Sequence, residues 1–247
     1  MLSLVYTFEA SPKQLNPDRI LGVDLGVVNA AYMAVSDDAY WRKSITGGQI
    51  EKHRRTVEVR KQKMSRQAAV CGQARVGHGY TKRMRTVEKI GDKIARFRDN
   101  INKIYAVRIV YMAVRKDCGV IQMEDLTGIA EDSVFLGRWT YYDLQQRIEQ
   151  KAREHGIEVR KITPNWTSLR CSECGYIARK NRKKADFECV QCGYKIHADF
   201  NAARNIATPN IEEIIRDKCK TLNLPYDKEN FVESEEELIA STSERRK

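Results

Sequence analysis

The chain has 247 residues and carries 44 Lys and Arg against 33 Asp and Glu, a net charge of +11. That length suffices to bury a real core, and we expect one domain with an insertion; the charge excess favours a polyanionic partner. No apolar stretch approaches the ~18 residues of a membrane span and the start lacks a signal-peptide pattern, so a soluble, cytoplasmic protein without a membrane partner is expected.

Taken in chain order, LSLVYTF near the start reads as a short strand and SPKQLNPDR as a polar linker. ILGVDLG (20–26), VNAAYMAV (28–35) and YWRKSIT (40–46) follow, separated by the turn-like LGVVN and SDDA, and predict an antiparallel three-strand meander. A basic helix over 50–69, a Gly-containing loop (CGQARVGHGY) and a long helix from about Thr81 to Lys116 come next. In the long helix Val87, Ile90, Ile94, Phe97, Ile101, Ile104, Val107, Tyr111 and Val114 recur at three- and four-residue steps, an apolar stripe that should face a core or a partner helix. VIQMED (120–125) then reads as a strand, Trp139 to Glu154 as a helix ended by His155-Gly156, and IEVRKI (157–162) as a further strand. Trp139, Tyr141 and Tyr142 are expected in the core rather than stacked on bases. Three strands, then helix, strand, helix, strand, give an α/β fold with a mixed sheet flanked by helices.

The positive charge is local. Residues 52–96 hold fourteen Lys and Arg and three acids, a surplus equal to that of the whole chain. Arg54, Arg55, Arg60, Lys61, Lys63 and Arg66 lie on the first helix, and Lys82, Arg85, Lys89, Lys93 and Arg96 form a stripe on the second. A phosphate backbone along these residues would gain salt-sensitive, sequence-independent affinity; the alternative is a merely solvated face. Residues 209–247 reverse the balance with ten acids and seven bases, and the run ESEEE (233–237) predicts a disordered acidic tail over the last twenty residues or so.

CSECG at 171 and CVQCG at 189 set two C-x2-C pairs fourteen residues apart. Four thiolates at that spacing suit a tetrahedral zinc ion, and the glycine after each pair permits the tight turn; with no open coordination position such a site is structural. Cys171, Cys174, Cys189 and Cys192 are the expected ligands, whereas Cys71, Cys118 and Cys219 read as packing residues. The five bases of ARKNRKKADFE between the pairs either touch phosphate or are solvated.

Three acids stand apart from the others. Alternation along ILGVDLG puts Leu21, Val23 and Leu25 on one face and Gly22, Asp24 and Gly26 on the other, so Asp24 looks along a strip that a second backbone, or a metal and a phosphate, can approach closely. Glu124 ends the strand VIQMED, where ligand-binding groups of open sheets gather. Asp199 opens HADFNAARNIA, a short helix, and taken alone it could be an N-cap or dipole partner.

This order of motifs resembles the RuvC-type, RNase H-like nuclease core of TnpB proteins and the miniature type V-F CRISPR effectors. ILGVDLG, IQMEDLTGI, WTYYDLQQRIEQKAREHGIEVRKITPNWTSLRCSECG and CGYKIHADFNAARNIA carry the resemblance, together with GHGYTKRMRTVEKIGDKIARFRDNI, over about residues 1–208. It implies a metal-dependent DNA endonuclease with Asp24, Glu124 and Asp199 as catalytic carboxylates and a zinc ribbon between the second and third acidic motifs. It also implies two divalent ions, Mg2+ or Mn2+, ~3.5–4 Å apart, with Asp24 bridging both and Glu124 and Asp199 holding one each. The implied organisation is a residual strand and linker (1–18), the nuclease core (19–169), the inserted ribbon (170–193), a closing helix (194–208) and a C-terminal extension (209–247). The N-terminal half that grips guide RNA in that family is expected to be missing, leaving DNA as the firm partner, guide RNA as a further one, and self-association or pairing with a full-length relative as open. A non-cleaving nucleic-acid-binding remnant or accessory protein is the rival class. A prokaryotic, nucleoid-associated location follows from the resemblance.

Overall fold

The strand that carries Asp24 is buried on both faces from Ile20 to Val23, so layers of the molecule lie on either side of it. The computed structural model describes residues 14–26, 28–70, 80–126 and 141–226, with some side chains inside the two long helices left out. β1 (Asn16–Asp24), β2 (Asn29–Val35), β3 (Asp38–Thr46), β4 (Cys118–Glu124) and β5 (Glu158–Ile162) form one sheet in the order β3-β2-β1-β4-β5. β1, β2 and β3 pair antiparallel, as the meander predicts, whereas β4 lies parallel to β1, and β5 parallel to β4. The sheet is therefore mixed, and the parallel strands require the helical crossovers that the sequence supplies.

One face of the sheet packs on α2 (Tyr80–Arg115) and α3 (Tyr141–Glu154), through Leu21, Val23, Met33, Ile121 and Met123 against Ile101, Ile109, Leu144 and Ile148. α1 (Gly48–Val70) lies against α2. The opposite face carries α4 (Ala198–Ile206), where Ala34 meets Phe200, Ala203 and Ala207. α5 (Ile211–Leu222) closes a second apolar cluster of Ile162, Trp166, Ile177, Ile206, Ile211 and Ile215. A small antiparallel sheet, β6 (Arg182–Lys183), β7 (Asp186–Glu188) and β8 (Lys195–His197), joins the cysteine pairs to α4.

Gly22 fits this plan because it has no side chain. A Cβ there would stand 2.3 Å from Ala207 N and 2.4 Å from Ala203 O, so the side-chain-free strip read from the sequence serves a second backbone, that of α4. Gln122, on the neighbouring strand, completes the contact by donating to the carbonyls of Ile206 (2.7 Å) and Thr208 (3.2 Å).

Three expectations change. Asn16 to Arg19, assigned to a linker, belong to β1, because Asn16 pairs with Cys118 and pairing overrides the weak strand propensity of polar residues; the expected boundary at residue 18 falls inside a strand. The apolar stripe of the long helix turns away from the core in its second half: Ile104, Val107 and Tyr111 are 45%, 49% and 57% exposed, while Tyr105, Ala106, Ile109, Val110 and Ala113 are buried. Small alanines let the helix approach the sheet, and a stripe counted from large residues alone misses them. Tyr142, expected in the core, is half exposed. The first strand, the loop at 71–79, Trp139 and the acidic tail lie outside the described residues.

Candidate metal centres and acidic site

The cysteine unit repeats one turn twice. In the first, Gly175 N donates to Cys171 O and Cys171 N to Tyr176 O; in the second, Gly193 N donates to Cys189 O and Cys189 N to Tyr194 O, all at 2.9 Å. Gly175 and Gly193 have φ of +74° and +73°, the left-handed conformation that glycine adopts without strain. These turns bring the four sulfurs within 4.8 Å of one another, which is the one such set of three or more ligand atoms among the described residues. Burial acts to raise the Cys189 thiol, yet the N–H groups of Cys192 and Gln191 and the neighbouring thiols bring it down to about 7, whereas burial and the neighbouring thiols push Cys174 up to about 12, so negative charge gathers first at Cys189. Four soft donors, two on each turn, can hold a tetrahedral cation. Phe187 packs with Cys171, Cys189 and Ala198, the first residue of α4, so the unit shares its core with the helix that carries Asp199.

Asp24 is the last residue of β1 and Glu124 the last of β4, adjacent parallel strands in which Val23 pairs with Met123. Asp199 sits in the first turn of α4, which Gly22 and Gln122 draw onto the same face. The helix cap is His197, whose Nδ1 accepts from Asp199 N at 3.2 Å, so the capping role open to Asp199 is already filled. Asp199 instead accepts from Asn29 Nδ2 at 3.0 Å and from Arg182 Nη2 at 3.2 Å. Glu124 accepts from the hydroxyl of Thr167.

Asp24 senses the other two acids. Burial, then the charges of Glu124 and Asp199, hold the Asp24 carboxyl well above the usual carboxylate range, with Arg182 opposing. Burial also pushes Glu124 up to about 7, against the Thr167 hydrogen bond and Arg182. Each keeps a partly exposed edge, but protein surrounds it closely enough for desolvation to dominate. The three carboxylates are more widely set than the sulfurs, and each outer acid is engaged by a neighbour: Glu124 by Thr167, Asp199 by Asn29 and Arg182. Hard oxygen donors whose negative charge exceeds what one arginine offsets fit a hard divalent cation.

Arg182, Asn29 and Thr167 were not singled out from the sequence. Arg182 is one of five bases in a polar run, and nothing in its spacing separates it from Lys183 or Lys184. Asn29 and Thr167 lie beside motifs, just after ILGVDLG and just before the first cysteine pair. Of the basic residues, Arg55, Arg60, Lys61, Lys63, Arg66, Arg85 and Arg96 are exposed on α1 and α2; the side chains of Arg54, Lys82, Lys89 and Lys93 lie outside the described set. A groove of about 640 Å3 along the small sheet is bordered by Lys180, Lys183, Lys195 and His197 and by the acids Asp186 and Glu188. No helix among the described residues is long and apolar enough to cross a membrane.

Residues 141–206 match the family model described as Cas12f1-like, TNB domain. The chain is 51% identical over 221 residues to a protein of Sulfoacidibacillus thermotolerans named CRISPR-associated endodeoxyribonuclease Cas12f1, an alignment that covers 89% of this chain and 52% of that protein. A protein of the same name from Syntrophomonas palmitatica is 43% identical over 253 residues, covering 90% of this chain and 51% of its own length. The solved CRISPR-Cas12f ternary complex superposes with a TM-score of 0.69 at 30% identity, over 83% of this chain and 41% of that one. The chain thus spans about half the length of the curated relatives it matches. The resemblance carried by the acidic and cysteine motifs holds across nearly nine-tenths of the molecule, and the chain is a relative of the TnpB and type V-F effectors.

Proposed function

We propose that this chain is the RuvC-type, RNase H-like nuclease core of an RNA-guided DNA endonuclease, hydrolysing DNA phosphodiesters at Asp24, Glu124 and Asp199. The observation that carries this reading is that β1 and β4 end side by side at Asp24 and Glu124, with Asp199 in the first turn of the helix packed on the same face, near enough for the charges of Glu124 and Asp199 to raise the Asp24 carboxyl. Divalent cations such as Mg2+, when bound, would supply an activated water and a counter-charge to the phosphate. Asp24, Glu124 and Asp199 are the residues that would hold these ions. Arg182 brings a guanidinium to the same edge, where it can exchange Asp199 for a phosphate oxygen and stabilise the charge that develops on it. Water adds to phosphorus, the 3′ oxygen leaves with a proton, and a 5′ phosphate results. Cys171, Cys174, Cys189 and Cys192 would hold a structural zinc ion that fixes the segment bearing Arg182, in the manner of an inserted ribbon. The basic faces of α1 and α2 would supply general affinity for guide RNA and DNA.

The test is cleavage of single-stranded DNA in Mg2+ or Mn2+ by the purified chain, with its guide RNA where one copurifies, beside Asp24→Ala. The proposal expects product from the parent chain and none from the variant; equal product from both would reject these carboxylates as the catalysts.

A further inference from the structure

Glu124 is held by a residue far along the chain. Thr167 lies between β5 and the first cysteine pair, is only 1% exposed, and donates its hydroxyl to Glu124 Oε1. The alternative acceptor, Pro164 O, is 3.4 Å away. The backbone around Thr167 is fastened to α4: Asn205, fully buried, donates from Nδ2 to the carbonyls of Thr167 (2.8 Å) and Arg170 (2.7 Å) and accepts at Oδ1 from Arg170 Nη1 (2.6 Å). Asn201 repeats the device one turn earlier, donating to Arg170 O at 2.8 Å and accepting from Ser172 N at 2.9 Å. Two buried asparagines on the helix of Asp199 therefore fix the loop whose threonine grips Glu124.

We propose that Thr167 is a positioning residue: its hydroxyl fixes one oxygen of Glu124 and turns the other towards the space shared with Asp24, and Asn205 holds Thr167 in place. The inference rests on the acids being a cation site. A β-branched side chain is stiff at χ1, so a buried threonine presents its hydroxyl in one direction. A carboxylate already oriented by a donor loses less freedom when a cation arrives, and groups that orient metal ligands in this way govern affinity strongly. Because the same loop runs on to Cys171, it also joins the two centres mechanically.

The test measures Mn2+ binding to the full chain by electron paramagnetic resonance at fixed pH, for the parent, Thr167→Val, Thr167→Ala, Thr167→Ser and Asp24→Ala, with melting temperature and cysteine-bound metal content recorded for each. Thr167→Val keeps the shape and removes the donor, and it should bind Mn2+ roughly ten-fold more weakly with melting and cysteine-bound metal unchanged. Thr167→Ala should match it, and Thr167→Ser, which keeps the donor, should restore parental binding. Parental affinity in Thr167→Val or Thr167→Ala, or a Thr167→Ser as weak as they are, would overturn the positioning role while leaving the cation site intact. A parent that binds no Mn2+ sensitive to Asp24→Ala would overturn the cation site and this inference together.

Discussion

The two centres of this molecule are built in opposite ways. The cysteine unit is local: two copies of one five-residue turn, each closed by its own backbone hydrogen bonds and a left-handed glycine, stand on either side of a thirteen-residue segment. The acidic edge is global, since its members come from β1, β4 and α4 and meet only because a mixed sheet places two strand ends side by side and a glycine admits a helix backbone against them. A local centre should fail by itself, whereas a global one should fail whenever the packing beneath it changes.

The largest effect separates function from folding. If Asp24 acts with its neighbours as a catalytic unit, Asp24→Asn should lower cleavage by roughly a thousand-fold or more, yet leave the metal-free protein as stable or more so at neutral pH, because a neutral amide removes like-charge strain. A melting temperature that falls together with activity would show that Asp24 serves the fold instead. Next in size, removing the metal from the four cysteines should open residues 170–193 to protease while β1 to β5 stay protected, and should release Arg182 and with it activity. An unchanged cutting pattern after verified metal removal would break the comparison at its local end.

Gly22→Ala tests the global end. The added methyl meets backbone on α4, so the helix must shift, at a cost of about 1–3 kcal/mol, and Asp199 shifts with it. Measured Mn2+ affinity should fall although no acid has been touched; unaltered affinity would show that α4 packing does not govern the site. A smaller effect is expected with pH. Glu124 has its folded pKa raised, so its contribution favours the fold below about pH 4.5 and is lost as pH rises through about 7. The metal-free protein should lose about 3 kcal/mol over that window, and both Mn2+ and Glu124→Gln should flatten the loss. A flat profile in the metal-free parent would place Glu124 in ordinary solvent. Smallest of all, neutralising Arg60, Lys63 and Arg85 should weaken DNA binding and reduce its salt slope by roughly one for each phosphate that these side chains neutralise; an unchanged slope would put the nucleic acid elsewhere.

The same contrast explains what was legible in the sequence. Spacing alone reveals the cysteine set, because its geometry is closed within about twenty residues. The strands and helices are legible from periodicity, and so is the face on which Asp24 lies. Convergence of Asp24, Glu124 and Asp199 is not: it requires β4 to insert parallel beside β1, which no local pattern states, and motif order supplied it through resemblance. Thr167, Asn29 and Arg182 stayed hidden because an uncharged donor beside a motif, or one base among five, has no signature until the chain is folded. The misplaced stripe of α2 has the same origin. Ala106 and Ala113 face the sheet because they are small, and a count of large apolar residues gives that face to Ile104, Val107 and Tyr111 instead.

The most direct test of convergence is anomalous diffraction from crystals of the full chain soaked in Mn2+. The account predicts manganese peaks bounded by the carboxylates of Asp24, Glu124 and Asp199, absent in Asp24→Ala, beside a separate metal peak at the four cysteines. Manganese binding elsewhere, with those three carboxylates left without it, would contradict the account.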